Sequence, residues 1–566
     1  MDGIEDLRKL VGFFHDSDLI KSDIRSQDQI DRRLKSIKET LGDRVVPQAK
    51  YDSKQQKKRE CHEGTRKRVL NDIEQWACTR SDIENCWWIT GRPAVGKSTI
   101  GAKVAETFED EKCLYAQYFI SRNIQATTDP ENILPTMALQ LAENSPLASL
   151  AIQDKLETTP LSVVKKFSDG QAQALLLEPL RAIARYTPKV VIVIDGVDEL
   201  ANAEPSVLSK VTSVLCNIML DLPANVKILI FSRPEQWITL KIPLYIKRLD
   251  LATKDSEDDV ERLVLAKLKE LAEFHEWNGW PSEDQHEVRQ LCELAAGHLG
   301  LASTALGWIA SELKFKGSAR RDEVIEEVSK LGKGEIDELY DFILDSILPP
   351  KDPDRKSYLE GLKTVLGCLV VLQEPLDIGS ISLMLSLDKF DVLHCMKRIS
   401  SLIVDGTDLL TKRTYPKVHK SFVDYLVSDR PHSILHIDLT EQHHSLTTTC
   451  FEVIKRLNFN VAHIMNSHDW LPGKASYSIS RDISYPCEWL GHHLENGGER
   501  ATLVEDVDTF MMTRFLQWLE VLSLKGRERV SWEFKPLEVA APTLRILENQ
   551  IEVSIHLLTK CGYLDC

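Results

Sequence analysis

The strongest chemical signal in the sequence is a nine-residue run that fits the phosphate-loop pattern GxxxxGK[ST]. The run consists of Gly91, Arg92, Pro93, Ala94, Val95, Gly96, Lys97, Ser98 and Thr99. Its glycines allow a tight turn whose backbone N–H groups point inward to phosphate oxygens. Lys97 supplies a positive charge for the β- and γ-phosphates, and Ser98 supplies a hydroxyl ligand for Mg²⁺. The run therefore predicts a site for a nucleotide.

A second candidate lies further along the chain, where the apolar residues 190–194 precede Asp195. Such a run predicts a strand that is buried on both faces, with Asp195 at its carboxyl end, where ligands collect in parallel sheets. The Asp195 carboxylate is suited to hold Mg²⁺ through water, and either Asp198 or Glu199 is suited to orient an attacking water. The pattern leaves open which of these two acids does so.

A third strand-like run, residues 226–231, leads into Ser232 and Arg233. At the end of a neighbouring strand, the Arg233 guanidinium could reach the γ-phosphate of a nucleotide. The alternative is a solvated arginine with no ligand. The position of Arg233 relative to the other two motifs favours the role of a nucleotide sensor.

The elements around these motifs alternate between short apolar runs and helical patterns. The apolar runs are residues 87–90, 114–120, 190–194, 226–231 and 245–249, and the helical patterns between them include 65–77, 99–108 and 133–142. This alternation predicts a parallel sheet with helices on both faces. Beyond residue 251 the periodicity is helical, including one long pattern over 286–313, except for a β-like pair at 402–404 and 418.

The predicted fold class is α/β: a P-loop NTPase domain with a parallel sheet, followed by a helical domain, a winged-helix domain and an all-α C-terminal region. The predicted parts are a helical N-terminal segment and linker (1–60), the NTPase domain (61–252), a helical lid domain (253–334), the winged helix (335–430) and the α-helical C-terminal region (431–566). Within the first part, the stripe of Ile30, Leu34, Ile37 and Leu41 predicts an amphipathic helix packed on the next domain. The polar residues 51–60 predict a linker.

The composition narrows the class of protein. The chain has 566 residues, which suggests about three to four domains. Its 70 Lys and Arg against 86 Asp and Glu give a net charge of −16, which argues against nucleic-acid binding through a basic surface. We expect no secretory signal or transmembrane segment, and the 12 cysteines lack a CxxC pair, which is typical of reduced residues. A cytoplasmic protein is the resulting expectation.

Together the three motifs resemble those of the NACHT class of STAND signal-transducing NTPases, through the phosphate loop, the DGVDE run at 195–199 and the strand ending in Ser232-Arg233-Pro234. The chain is similar in particular to a fungal group with a nephrocystin-like N-terminal NTPase region. Further residues that carry this similarity are Cys61, Gly64, Thr65, Arg66, Trp76, residues 336–340, residues 418–426, Trp489 and residues 492–494. The chain departs from some relatives in having no proline in residues 297–300 and no WD or ankyrin repeats.

The resemblance implies a regulated switch that binds ATP or GTP with Mg²⁺, hydrolyses it slowly and rests with ADP or GDP. It further implies self-association after activation, an unknown effector or ligand protein, and a role in non-self recognition or cell death. It also implies that the winged helix closes over the nucleotide, and we therefore expect His419 to reach the β-phosphate of the bound diphosphate. The alternative for His419 is a cap of the following helix or a packing residue under the wing.

Two other functions compete with the switch. The first is a scaffold that holds a nucleotide only as a structural ligand. The second is a metabolic P-loop kinase, which would need an acceptor pocket and a mobile lid with arginines. The long helical carboxyl half does not suggest such a pocket, so the switch is favoured.

Overall fold

The computed structural model describes residues 27–53, 56, 64–80, 84–91, 95–164, 166–200, 205–234, 242–243, 246–251, 255–281, 286–331, 335–348, 354–404, 416–428, 435–461, 479–498 and 503–524. The chain divides into two compact units, Met1–Gly334 and Glu335–Cys566. The finer division into five parts stays a prediction.

The first unit contains one sheet and the helices around it. Its strands are β1 (Cys86–Thr90), β2 (Leu114–Phe119), β3 (Val190–Asp195), β4 (Val226–Ser232) and β5 (Lys247–Asp250). Its helices are α1 (Gln27–Leu41), α2 (Lys67–Cys78), α3 (Lys97–Asp110), α4 (Gln125–Thr128), α5 (Ile133–Asn144), α6 (Pro146–Thr158), α7 (Leu161–Val164), α8 (Asp169–Ala172), α9 (Glu178–Ala184), α10 (Pro205–Met219), α11 (Asp255–Phe274), α12 (His286–Ala295), α13 (Leu299–Lys316) and α14 (Arg321–Ser329). A π turn, Gln173–Leu177, joins α8 to α9.

The five strands form one parallel sheet in the order β2-β3-β4-β1-β5. The predicted α/β class with a parallel sheet is therefore confirmed. Strand β3 has all six residues buried, and five of them are Val or Ile, whose branched side chains suit a strand with both faces covered. Strand β4, which ends in Ser232, separates the strand before the phosphate loop from the strand that ends in Asp195.

Alternate residues of the central strands enter two different cores. Ile192 and Ile194 belong to the core on one face, which includes side chains of α1, α5, α6, α9 and α10. Val191 and Val193 belong to the core on the other face, which includes side chains of α2 and α3. The period of two places successive side chains on opposite faces, so a continuous apolar run supplies both cores at once.

Helix α1 packs on the sheet of the first unit. Ile37 and Leu41 of α1 are buried in the first core, in agreement with the predicted amphipathic helix. The linker over 51–60 stays a prediction, and two of its described residues contact strand β2. The Tyr51 N–H donates to the Gln117 side chain, and the Gln56 amide donates to the Phe119 carbonyl at 2.6 Å. Polar residues are needed here because they satisfy hydrogen-bonding groups along the edge strand β2.

The single helical pattern predicted over 286–313 is two helices, α12 and α13. Between them, Ala296 and Gly297 have positive φ angles of 45° and 83°. A left-handed pair of this kind ends a helix, and glycine adopts it without steric cost. The apolar periodicity continues across the break, which explains why the pattern alone predicts one helix.

In its described residues, the second unit is helical apart from one short antiparallel pair. Its helices are α15 (Ile336–Ile347), α16 (Asp354–Val371), α17 (Ile378–Leu385), α18 (Lys389–Arg398), α19 (Lys420–Val427), α20 (Leu439–Lys455), α21 (Arg481–Asn496), α22 (Val504–Thr513) and α23 (Phe515–Leu524). Strands β6 (Ile403–Val404) and β7 (Lys417–Val418) pair antiparallel. Among the described residues of the whole chain, no helix is long and apolar enough to cross a bilayer.

Candidate nucleotide-binding site

The phosphate loop connects β1 to α3, and its two glycines are required for different reasons. A Cβ on Gly91 would lie 2.7 Å from Cγ2 of Val95, so only glycine fits there without displacing a side chain. Gly96 has φ 89° and ψ 21°, a left-handed conformation at the N-cap of α3. Arg92, Pro93 and Ala94 lie outside the described residues.

Lys97 folds back across this loop. Its Nζ donates a hydrogen bond to the Gly91 carbonyl at 2.7 Å. Ser98 and Thr99 follow in the first turn of α3 and are half-buried. The ammonium group, the N–H groups of that turn and the positive end of the helix dipole therefore lie together, which is the arrangement that binds a phosphate group.

Asp195 ends β3 at the carboxyl edge of the sheet and is only 1% exposed. In the register of the sheet it pairs with Phe231 of β4, and Phe231 pairs with Ile89 of β1. Asp195 is thus level with the residues that lead into the phosphate loop. The strand order and register place the predicted metal-binding carboxylate at the same edge as the predicted phosphate-binding loop.

Gly196 permits the close approach of β3 to β2 at this edge. A Cβ on Gly196 would lie 2.8 Å from the backbone oxygen of Ile120, and the residue has a φ of 81°. The Gly196 N–H also donates to the Phe231 carbonyl at 3.0 Å. Both steric space and backbone conformation therefore require glycine directly after Asp195, the predicted metal ligand.

The two remaining acids of the motif have different partners. Asp198 accepts a hydrogen bond from the Arg233 backbone N–H at 2.9 Å, and its other oxygen lies 3.4 Å from Arg233 Nε. The Asp198 side chain is 4% exposed and that of Arg233 is 15% exposed. Glu199 is half-buried and accepts from the Arg122 backbone N–H at 3.2 Å. Asp198 thus orients Arg233, and a role of either acid in orienting water stays a prediction.

The residues present fit Mg²⁺ as a shared ligand of protein and nucleotide. Among the described residues, no group of three or more His, Cys, Asp and Glu side chains could hold a metal ion by itself. This is compatible with Mg²⁺, which takes one or two protein oxygens and completes its shell with water and phosphate oxygens. Ser98 and Asp195 offer the required hydroxyl and carboxylate.

His419 lies in the second unit, directly after β7, and caps helix α19. Its Nδ1 accepts a hydrogen bond from the Ser421 backbone N–H at 3.3 Å and also contacts the Ser421 hydroxyl. Because Nδ1 accepts, the hydrogen of a neutral ring is on Nε2. The capping alternative considered for His419 is therefore observed. A role at the nucleotide stays a prediction.

Sequence reasoning assigned no site role to Arg66 or Asp259. Arg66 donates from Nη2 to the Val95 carbonyl in the phosphate loop at 2.9 Å, and Asp259 accepts from the Arg66 backbone N–H at 3.0 Å. The only signal in the sequence was the Gly64-Thr65-Arg66 run noted for the resemblance. Asp259 stands in an ordinary helical pattern, so its position at the loop could not be read from the sequence.

Comparison with known proteins gives a match at the level of the domain. Residues 64–233 match the family described as nephrocystin 3, N-terminal. The match spans the phosphate loop, the acidic strand end and Arg233. No curated protein matches the chain. The nephrocystin-like part of the resemblance is thereby supported for this region.

The chain also matches solved structures, all at low sequence identity. A STAND protein with a tetratricopeptide repeat sensor from Pyrococcus horikoshii is 14% identical with a TM-score of 0.45, and the match covers 90% of this chain and 60% of that protein. A Walker-type ATPase of Pyrococcus abyssi is 13% identical with a TM-score of 0.29, over 63% and 94%. Cdc6p of Pyrobaculum aerophilum is 16% identical with a TM-score of 0.29, over 73% and 97%.

Because these scores are low, the assignment depends on the family match and on the geometry of the site. The geometry fits a nucleotide-binding site. It combines strand β1, the loop with its two constrained glycines, Lys97 at the start of α3 and the buried Asp195. The first unit contains a nucleotide-binding P-loop NTPase domain.

Proposed function

We propose that the chain is a nucleotide-dependent signalling switch of the STAND/NACHT class, which binds Mg–ATP or Mg–GTP at the phosphate loop and hydrolyses it slowly. The observation that carries the proposal is the ion pair between the buried Asp198 and the half-buried Arg233. Arg233 follows β4, the strand between β1 and β3. A cation at that position interacts with the γ-phosphate on one side and the acidic turn on the other, so its pairing can differ between the triphosphate and diphosphate states.

In this proposal Glu199 orients the attacking water, and Asp198 keeps Arg233 directed toward the nucleotide. Bound Mg²⁺ would bridge the β- and γ-phosphates and neutralise charge that develops during transfer. Lys97 exchanges its hydrogen bond with the Gly91 carbonyl for one with a phosphate oxygen. Slow turnover suits a switch, because the lifetime of the triphosphate state sets the duration of the signal.

The second unit supplies the proposed response. Helices α15 to α19 with the β6–β7 pair form the proposed winged helix, and His419 is the proposed contact with the β-phosphate at rest. The Nε2–H of a neutral His419 ring is a suitable donor, and a protonated ring would add charge assistance. Loss of this contact would favour an open state that self-associates in the cytoplasm, in non-self recognition or cell-death signalling. These roles come from the resemblance and are offered as part of the proposal.

The first experiment identifies the nucleotide that co-purifies with the full chain, by mass spectrometry, and compares the mass of the particle with diphosphate and triphosphate by light scattering. Glu199→Gln is expected to retain triphosphate and to increase the oligomeric fraction. A particle of constant size in both nucleotide states would favour the structural scaffold. Turnover that depends on an added acceptor would favour a kinase.

The proposed role of His419 has its own variant. His419→Asn retains a side chain that caps helices well, so α19 should remain stable, but its amide is too short to replace the imidazole at a phosphate. Faster diphosphate release at unchanged melting temperature supports the contact. Unchanged release in His419→Asn, together with a lower melting temperature in His419→Ala, would show that the residue is only a cap.

A further inference from the structure

Arg66 is a buried cation that contacts the phosphate loop from behind. It is 3% exposed and has a φ of 57°, an unusual conformation for a residue other than glycine. It is the N-cap residue of α2. Such a conformation costs free energy and persists where surrounding contacts require it, which is frequent at functional positions.

The contact with Val95 determines the direction of one N–H group of the loop. Arg66 Nη2 donates to the Val95 carbonyl at 2.9 Å, and the Val95–Gly96 peptide is planar. In a trans peptide the carbonyl and the following N–H point in opposite directions. The Gly96 N–H therefore points away from Arg66. Phosphate loops bind anions with such N–H groups. The contact therefore orients the Gly96 N–H as a hydrogen-bond donor to a phosphate oxygen.

The same arginine is attached to the helix that follows the sheet domain. Asp259 of α11 is 5% exposed, accepts from the Arg66 backbone N–H at 3.0 Å and lies 3.8 Å from Arg66 Nε. Arg262, one turn further along α11, approaches Asp259 at 3.6 Å and the Gly64 carbonyl at 3.4 Å. Helix α11 is thus joined to residues 64–66, and through Arg66 to the phosphate loop.

We propose that Arg66 is a positioning residue that couples nucleotide binding at the phosphate loop to the docking of helix α11, through its paired contacts with Val95 and Asp259. This role depends on the proposed nucleotide-dependent function. Within the first unit, Arg66 would connect the phosphate loop to helix α11. A ligand that stabilises the loop conformation also stabilises the contact with Arg66, and by thermodynamic linkage a docked α11 strengthens nucleotide binding by the same factor. Removal of either charge takes one partner from the other buried charge, so the two substitutions are expected to be non-additive.

The test measures the affinity of the full chain for fluorescent ADP and GDP analogues with Mg²⁺, together with hydrogen exchange of peptides from residues 255–274 with and without the nucleotide. In the wild-type protein, the nucleotide is expected to slow exchange in α11. Arg66→Gln and Asp259→Asn are each expected to weaken binding about tenfold and to abolish that slowing. The double variant should bind no more weakly than the worse single variant.

Lys267→Gln is the matched control, because it removes an exposed cation of the same helix, paired with Glu270, that does not contact residues 64–66, and less than a twofold change is expected. If Arg66→Gln does not fold, Arg66→Lys provides the readout, since a single ammonium cannot reproduce both contacts. The proposal is overturned if Asp259→Asn lowers the melting temperature but leaves affinity and the nucleotide-induced slowing unchanged. If the wild-type protein binds nucleotide normally, that result would leave the proposed function intact. If the wild-type protein does not bind nucleotide, both the role of Arg66 and the proposed function are overturned.

Discussion

The two units each contain a buried polar cluster, and the clusters are built on opposite electrostatic principles. The edge cluster of the first unit consists of Asp195, Asp198 and Arg233, which are ionisable groups at strand ends with an ion pair among them. The histidine cluster of the second unit consists of His443, His492, His493 and Tyr485. It lies between α20 and α21, and its histidines are held neutral by burial.

Three members of the histidine cluster, Tyr485, His493 and His443, are joined by hydrogen bonds. The Gln373 N–H donates to the Tyr485 hydroxyl at 3.1 Å, and that hydroxyl lies 2.8 Å from His493 Nε2. His493 Nδ1 lies 2.8 Å from His443 Nδ1. If the Tyr485 hydroxyl donates to His493 Nε2, the proton of the neutral His493 ring is on Nδ1. That N–H then donates to His443 Nδ1.

The difference shows what a buried polar cluster needs in order to act on a ligand. The edge cluster lies at the end of the sheet where the loops begin, and its charges interact with an anion brought to that edge. Tyr485, His493 and His443 of the histidine cluster hydrogen-bond to one another, so they contribute to the packing of α20 on α21. In the proposed function the charges of the first cluster act on the ligand, whereas a charge on the buried histidines of the second cluster is expected to be destabilising.

The largest expected effect comes from removing the charge that faces the phosphate. Lys97→Ala should weaken nucleotide binding by more than about 100-fold, because the phosphates lose their closest cation. Titration with a fluorescent nucleotide measures this. Lys103→Ala, on the same helix but in an exposed pair with Glu106, is the matched control and should bind normally. Unchanged binding in Lys97→Ala would remove the basis for assigning the site.

The next effect separates the two acids of the edge cluster. Glu199→Gln should bind nucleotide normally and slow hydrolysis by about 10²–10³-fold, because it loses the base that orients water. Phosphate release under single-turnover conditions is the measurement. Asp198→Asn should also alter nucleotide affinity, since it loosens Arg233. If Asp198→Asn alone abolishes hydrolysis and Glu199→Gln is normal, the roles of the two acids are reversed.

Low pH should destabilise the histidine cluster, because its rings are neutral in the folded protein. Burial lowers the pKa of His443 from 6.5 to about 4, with a smaller contribution from His492, and burial lowers the pKa of His492 to about 4. Between these values the unfolded chain binds more protons than the folded one, so stability is present above pH 6.5 and falls as the pH decreases toward 4. From pH 7 to 5.5 the two residues together should cost about 2–3 kcal/mol.

Hydrogen exchange of peptides from Arg481–Asn496 at the two pH values, corrected for intrinsic rates, measures this loss locally. A variant with Gln in place of His443 and His492, which cannot be protonated, should lose most of the pH dependence. An equally steep dependence in that variant would assign the acid sensitivity to other groups.

The smallest expected effect tests the hydrogen bonds of Tyr485 in the histidine cluster. Tyr485→Phe removes one hydroxyl and leaves the Gln373 N–H and His493 Nε2 without it, at an expected cost of about 1–2 kcal/mol in the stability of the second unit. Chemical denaturation followed by the hydrogen exchange of α21 is the measurement. Nucleotide affinity should not change. A gain in stability would mean that the chain is not a satisfied network.

Much of the site could be predicted because its signals are local. The loop glycines, Lys97 and the apolar run before Asp195 are contiguous, and their backbone requirements act within a few residues. The helix break at Ala296 and Gly297 and the packing of Tyr51 on β2 were missed. In both cases a periodic or polar pattern was overridden by a tertiary requirement, namely a turn between two helices and the covering of a sheet edge.

The sequence by itself determined the parallel α/β architecture, the phosphate loop and the strand that ends in Asp195, because hydrophobic period and glycine placement act over short stretches of chain. Only the tertiary structure decided that Asp198 pairs with Arg233, that His493 joins His443 and Tyr485, and that Arg66 meets Asp259 across 193 positions. These contacts depend on strand order and on the docking of helices. No local periodicity encodes them, since each side chain alone is compatible with a solvated surface position.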